Sequence, residues 1–205
     1  PNQDLEGIGG RIEFNTKKAT ALDEPVLKFR YDTQYNEYSK SGNNPKYSLT
    51  YGDKITENFG AIFGYTFQSK DIVSNNNEVG YEPWAVDSNG NKYLARDWEM
   101  RFYDLTRERE GMTIDMDFEY SPNTSFFANY LFNEYVDDEI RHKDEYRARN
   151  VVESSITSTS AAYQRITADK ETRKRIETRQ IKTQIVGGET NLGDFNFKFQ
   201  ASNSF

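Results

Sequence analysis

Carboxylates, a single histidine and a set of aromatics beside an arginine are the residues of this chain that could do chemistry. Asp115, Asp117 and Glu119 recur at a spacing of two, as do Asp137 and Glu139. On a strand that spacing puts each set on one face, where paired carboxylates can divide acid and base work. It also suits a water-facing strand surface balanced by Arg or Lys on neighbouring strands, which is the reading adopted. His142 stands between Arg141 and Lys143, and a solvated loop position is expected for it. No nucleophile–histidine–acid set can be assembled around it. Asp87-Ser88-Asn89-Gly90-Asn91 starts like a calcium loop, but the glycine falls at the fourth position and Trp98 holds the place of the closing glutamate. Asn89-Gly90 fits a hairpin turn better. Gly7-Ile8-Gly9-Gly10 lacks the Lys-Ser/Thr that a phosphate loop needs. No enzyme activity, cofactor or metal site is expected. Tyr81, Trp84, Tyr93, Arg96 and Trp98 lie together and include both tryptophans. Rings beside a guanidinium can stack on a sugar or another flat ligand, so these form the candidate substrate-binding set. Packing of the loop on itself is the alternative.

The elements that must position these residues are strands. Phe59, Ala61, Phe63, Tyr65 and Phe67 alternate with Gly60, Gly64 and Thr66. Met112, Ile114, Met116, Phe118 and Tyr120 alternate with Thr113, Asp115, Asp117 and Glu119. Phe195, Phe197, Phe199 and Ala201 alternate with Asn196, Lys198 and Gln200. The same pattern runs through Leu27 to Tyr35, Tyr47 to Tyr51, Phe126 to Phe132, and Ile181, Thr183 and Ile185, which predicts seven strands. None of these apolar-face positions is charged. A lipid-facing surface enforces that deficit, and so does the core face of a soluble sandwich.

Composition narrows the classes. A mean hydropathy of −0.92 with 15% aromatic residues is too aromatic for a disordered chain. A net charge of −7 argues against a general nucleic-acid binder. No apolar run approaches the length of a spanning helix. A soluble all-β protein and a transmembrane β-barrel both fit.

Connection lengths separate the two. Turns are expected at 39–45, 52–58, 121–124 and 188–194, and long polar loops at 74–100 and 137–164. The run from Ala168 to Lys182 is read as a loop edge entering a strand, and Ser154–Ser160 as loop. Short turns at one end and long loops at the other are the outer-membrane arrangement. Tyr51, Phe59, Tyr120, Phe126, Phe195 and Phe197 sit beside short turns, as an interfacial girdle does. The fold class expected is all-β, an antiparallel transmembrane β-barrel fragment of about seven strands.

Three segments resemble the TonB-dependent outer-membrane receptors. Glu6-Gly7-Ile8-Gly9-Gly10-Arg11-Ile12-Glu13-Phe14-Asn15-Thr16-Lys17 is similar to the motif that closes the family's plug domain. The stretch from Arg107-Glu108-Arg109 to Tyr120-Ser121-Pro122 resembles a barrel segment ending in a Y-x-P periplasmic turn. Gln180 to Gly188 and Leu192-Gly193-Asp194-Phe195 resemble a later strand–turn–strand unit. The spacing looks most like a subgroup common in marine and aquatic proteobacteria and linked to carbohydrate uptake.

The resemblance implies that residues 1–19 end the plug and 20–205 begin the barrel. Gly7, Gly9 and Gly10 would shape the plug-to-barrel connection, and Arg30, Asp32, Asp115 and Asp117 would face the lumen. It implies residence in the outer membrane of a Gram-negative bacterium, in contact with its lipid. It also implies uptake of a small molecule or oligosaccharide, a carbohydrate or a siderophore, with energy coupled through TonB by a part upstream of Pro1. Both ends are expected to be cut, since the sequence starts at Pro1 without methionine or signal peptide and stops at Phe205 inside an expected strand, and seven strands alone cannot close a barrel that transports. The rivals are a passive porin or adhesin-type barrel and a soluble β-rich carbohydrate-binding domain. A barrel without a plug needs no glycine-rich strand ahead of it.

Overall fold

The computed structural model describes residues 18–42, 44–79, 84–86, 88–90, 92–157 and 160–205. Its strands are β1 (Val26–Thr33), β2 (Pro45–Thr56), β3 (Phe59–Val79), β4 (Trp84–Val86), β5 (Lys92–Ala95), β6 (Asp97–Ser121), β7 (Thr124–Val152), β8 (Ala162–Leu192) and β9 (Phe195–Ser204). Single 3-10 turns occur at Ala19–Ala21 and Glu153–Ser155, and no α-helix occurs among the described residues. Seven strands form one antiparallel sheet in the order β1-β2-β3-β6-β7-β8-β9, while β4 and β5 make a separate hairpin. Each strand of the large sheet pairs with the next one along the chain, so the two edge strands β1 and β9 run in the same direction. The boundary expected at residues 19 and 20 falls inside the first 3-10 turn.

Three two-residue turns lie at one end of the sheet: Glu57-Asn58, Pro122-Asn123 and Gly193-Asp194. Gly193 has φ +61°, as the first central residue of a tight hairpin needs. Proline at 122 costs no ladder hydrogen bond, because it stands outside the paired residues. At the other end, β3 and β6 are joined through the β4–β5 hairpin, whose turn carries Gly90 at φ +80°.

Register shows why the alternation exists. Phe29, Leu49, Tyr65, Met112, Phe132 and Lys182 lie in one row across β1 to β8, and Lys182 exchanges both backbone hydrogen bonds with Phe205. This row belongs to a belt of apolar side chains on one face, called the belt face. The opposite, polar face holds Gly60, Asp117, Asn133 and Glu139 among others. Nothing among the described residues covers the belt. Leu27 is 71% exposed, Phe29 68% and Phe195 69%. Ala19, Leu22, Leu105 and Ala148 are the only buried apolar residues among those described. Among the described residues the sheet is one layer, without the second layer that ordinarily buries an apolar face.

Four expectations are corrected. The polar segments at 74–100 and 137–164 are mostly strand: β3 continues to Val79, β6 starts at Asp97, β7 runs to Val152 and β8 starts at Ala162. They looked like loop because polar residues such as Asn75, Asn77, Asp138, His142 and Asp144 interrupt the belt face there, which weakens the period-two signal. The run from Ala168 to Lys182 lies wholly within β8. His142 is accordingly a strand residue; its Nδ1 lies 2.9 Å from Thr172 Oγ1 and its ring stacks on Phe102. Finally, Ile181, Thr183 and Ile185 are on the polar face, paired with Asn133, Leu131 and Asn129. Their neighbours Lys182 and Gln184 take the belt positions instead, with Lys182 Nζ 5.9 Å from the centre of the Phe132 ring.

Candidate ligand-binding surfaces

The polar face near the short turns holds the chain entering the sheet. Ala19 N–H donates to Asp117 Oδ1 at 2.6 Å and Thr20 N–H to Oδ2 at 2.8 Å. The Thr20 hydroxyl donates to Glu119 at 3.2 Å. A carboxylate accepting two backbone N–H groups satisfies the orphan donors of a short helical turn. The approach is close: a Cβ on Gly60 would sit 2.6 Å from Ala19 Cβ. Leu22 packs over Gly52 and Ile62 on the same face. Asp117 therefore serves the entering backbone and Glu119 the Thr20 hydroxyl, and neither pairs with a neighbouring Arg or Lys, contrary to expectation. Arg30 and Asp32 pair with each other at 2.7 Å on the exposed edge strand β1.

Farther along, the polar face becomes a charge ladder. The Tyr135 ring lies within reach of three guanidinium groups, Arg109 at 5.4 Å, Arg107 at 5.6 Å and Arg179 at 6.0 Å from its centre. Its hydroxyl donates to Asp137 at 2.7 Å, and Arg107 donates to the same carboxylate at 2.9 Å. Glu139 accepts from Arg173 at 2.7 Å and Arg175 at 3.3 Å. Asp137 and Glu139 thus take arginine partners from neighbouring strands, as expected, but they are buried and not hydrated. Toward the distal end, Glu171 bonds Arg141 and lies 3.4 Å from Lys143. Arg141, then Lys143, hold the Glu171 carboxyl below the ordinary glutamate range. Glu145, then Glu171, raise the Lys143 ammonium above the ordinary lysine value.

Trp98 lies on the belt face at the distal end, in a row with Val79 and Tyr146. With Met100, Tyr146 and Ile166 it lines a mostly apolar groove of about 540 Å³. Sequence reading placed Trp98 among loop aromatics; Met100 and Ile166 carried no signal that could have joined them to it. Arg96 is half-buried in the bend between β5 and β6, and its carbonyl accepts the Ala148 N–H at 2.8 Å. It therefore does not share the groove's lining with Trp98. Trp84 and Tyr93 belong to β4 and β5, where Trp84 pairs with Ala95. Tyr81, Gly7, Gly9 and Gly10 lie outside the described residues, as do Asp87 and Asn91 of the calcium-like run. No group of three or more metal-ligating side chains occurs among the described residues.

A second cavity, of about 300 Å³, lies under the β1–β2 connection and is lined by Tyr35, Asn44, Lys70 and Ile72. Asn36 and Asn44 reach from that connection to the backbone of Asp71, where β3 has outrun β2. They satisfy an edge that would otherwise be open. The chain matches no protein-family model, and no curated protein or solved structure is similar to it.

Proposed function

We propose that the chain is part of the wall of a plugged outer-membrane β-barrel that takes up a carbohydrate or siderophore, with energy coupled through TonB. The observation that carries this reading is the slant of the apolar belt. Phe29 is the centre of the β1 belt residues, and its row ends at Phe205. The β9 belt residues, Phe195 to Ala201, centre near position 198. The belt therefore drops by about seven residues while crossing six strand spacings, roughly 24 Å against roughly 29 Å. If the belt is level in a bilayer, the strands tilt by about 40°, within the range of closed barrels.

Height agrees as well. Met112 to Tyr120 span about 27 Å along the strand, or about 21 Å when tilted, near the ~25 Å apolar band of outer-membrane barrels. Lys182 marks the upper rim, where a long cationic side chain can reach water. Tight turns would then face the periplasm, and β7 and β8 would extend roughly 65 Å along the strand beyond the belt. The chain segment docked on Asp117 enters from the lumen side, which is where a plug would hand over to a barrel.

The test is fractionation of cells making the intact protein, followed by substrate uptake with and without an inner-membrane proton gradient. Recovery in the outer membrane and uptake that stops when the gradient collapses are expected. Gradient-independent uptake would leave a passive barrel. A protein monomeric in buffer without detergent would overturn the membrane reading altogether.

A further inference from the structure

We infer that the arginine cluster around Tyr135 on the polar face is a binding site for an anionic solute, one bearing at least two carboxylate, sulfate or phosphate groups. The inference rests on the reading of that face as a water-filled lumen, and it narrows the class of cargo. The cluster is built from Arg107 and Arg109 on β6, Arg141 on β7, and Arg173, Arg175 and Arg179 on β8. Rows on these strands bring them together: Arg109 and Arg179 flank Tyr135, Arg141 faces Arg173, and Glu139 faces Arg175. Lys70 on β3 stands directly opposite Arg107 and adds a further positive charge.

Acceptors in this zone are too few. Only Asp137, Glu139, Glu171 and Glu177 reach its arginines; Glu139 and Glu177 are each divided between two arginines, and Glu171 between Arg141 and Lys143. Six guanidinium groups offer about thirty N–H donors, whereas four carboxylates accept about sixteen. Neither Arg109 nor Lys70 has a carboxylate within ion-pair distance among the described residues. Three donors, Nε of Arg107, Arg141 and Arg173, and one acceptor, Asp137 Oδ1, are buried in the cluster with no hydrogen-bond partner among the described residues. A purely structural ladder would match donors to acceptors; this one keeps a surplus of positive charge in a chain whose net charge is −7.

Arginine is the side chain suited to this task. Its planar fork holds carboxylate, sulfate or phosphate by two parallel hydrogen bonds. Neighbouring strands are about 4.8 Å apart and alternate residues about 6.8 Å, so the lattice fits anionic groups separated by one sugar ring or less. A neutral glycan would gain little from such a surface, and desolvating the unpaired guanidiniums would oppose its binding.

The test is calorimetric binding of a sulfated disaccharide, and of the same disaccharide without sulfates, to the intact protein in detergent. The sulfated sugar should bind at least roughly tenfold more tightly. Arg109→Gln should lower its affinity by roughly tenfold or more, and Arg109→Lys should keep most of it. Arg109 makes no ion pair, so its replacement leaves the ladder intact; unchanged circular dichroism would confirm the fold. Equal affinity for the two sugars, or an Arg109→Gln variant that binds as the wild type does, would overturn the inference. Gradient-driven uptake of a neutral cargo alone would also overturn it, while the transporter reading stood. Sulfate-selective binding by a protein that never reaches the outer membrane would support the site and sink the transporter.

Discussion

Replacing Asp117 by alanine should release the chain segment docked on the sheet. The carboxylate accepts N–H groups of Ala19 and Thr20 at 2.6 and 2.8 Å and is buried. A hydrogen bond to a charged acceptor contributes about 1.5–3 kcal/mol when its partner would otherwise be stranded. Here the freed N–H groups can reach water once the segment lifts, so the low end applies and the pair is worth about 2–4 kcal/mol. The open fraction should rise roughly 30- to 900-fold. Trypsin cleavage after Lys18 reads that fraction directly when reclosing is fast. Gly60→Val should act in the same direction, since its Cβ would sit 2.6 Å from Ala19 Cβ and 2.7 Å from the Ala19 carbonyl carbon and the Thr20 nitrogen. Gly64→Ala is the contrast, because its near contact at 2.6 Å is the Thr113 hydroxyl, which can rotate away. An Asp117→Ala protein cleaved at the wild-type rate would refute the argument and leave Leu22 packing as the anchor.

Three further predictions follow from faces, turns and charges. Ile114→Arg, in the belt, should cost about 2–4 kcal/mol in a bilayer, whereas Asn133→Arg on the polar face should cost little; heat-modifiable gel migration of the refolded protein measures both. Gly193→Val puts a β-branched residue at φ +61° and should cost about 1–2 kcal/mol, seen as a lower midpoint of urea unfolding in micelles. Glu171 should titrate below the ordinary value of about 4.3, because Arg141 and Lys143 favour its charged form. Its contribution to β7–β8 pairing is then complete above that ordinary value and disappears as pH falls through the depressed one. Carboxyl carbon NMR of Arg141→Gln should show Glu171 moving back up, and an unmoved titration would contradict the pairing.

The belt is legible because six strands carry the alternation, as in Phe59 to Phe67 and Met112 to Tyr120. β8 was misread because Ile181 and Ile185 look like belt residues locally. Its register is visible only in its pairing with β7 and, through the Gly193-Asp194 turn, with β9, and not in its own side chains. Strand extensions beyond the belt were invisible for a related reason: Arg101, Lys143 and Glu171 meet only across strands, and no window of one strand shows that. Asp137 and Glu139 are legible in the sequence as carboxylates of one face with arginine partners, but not as buried. The surplus of arginine around them is not legible, since it depends on β6 and β8 arriving beside β7. Trp98 stands out in the sequence, yet its neighbour Ile166 is contributed by a different strand.

The shared direction of β1 and β9 has a consequence for crowding. Their free edges cannot join each other in antiparallel fashion, and neither can edges of two copies laid side by side in the same orientation. β1 against β1 would need one copy upside down. In a membrane where insertion has a single sense, an odd-stranded sheet is therefore barred from antiparallel merger with its neighbours. Closing such a sheet into a barrel with antiparallel seams throughout would take an odd number of further strands. Parity thus acts as a filter on wrong partners, without any side chain being committed to the task.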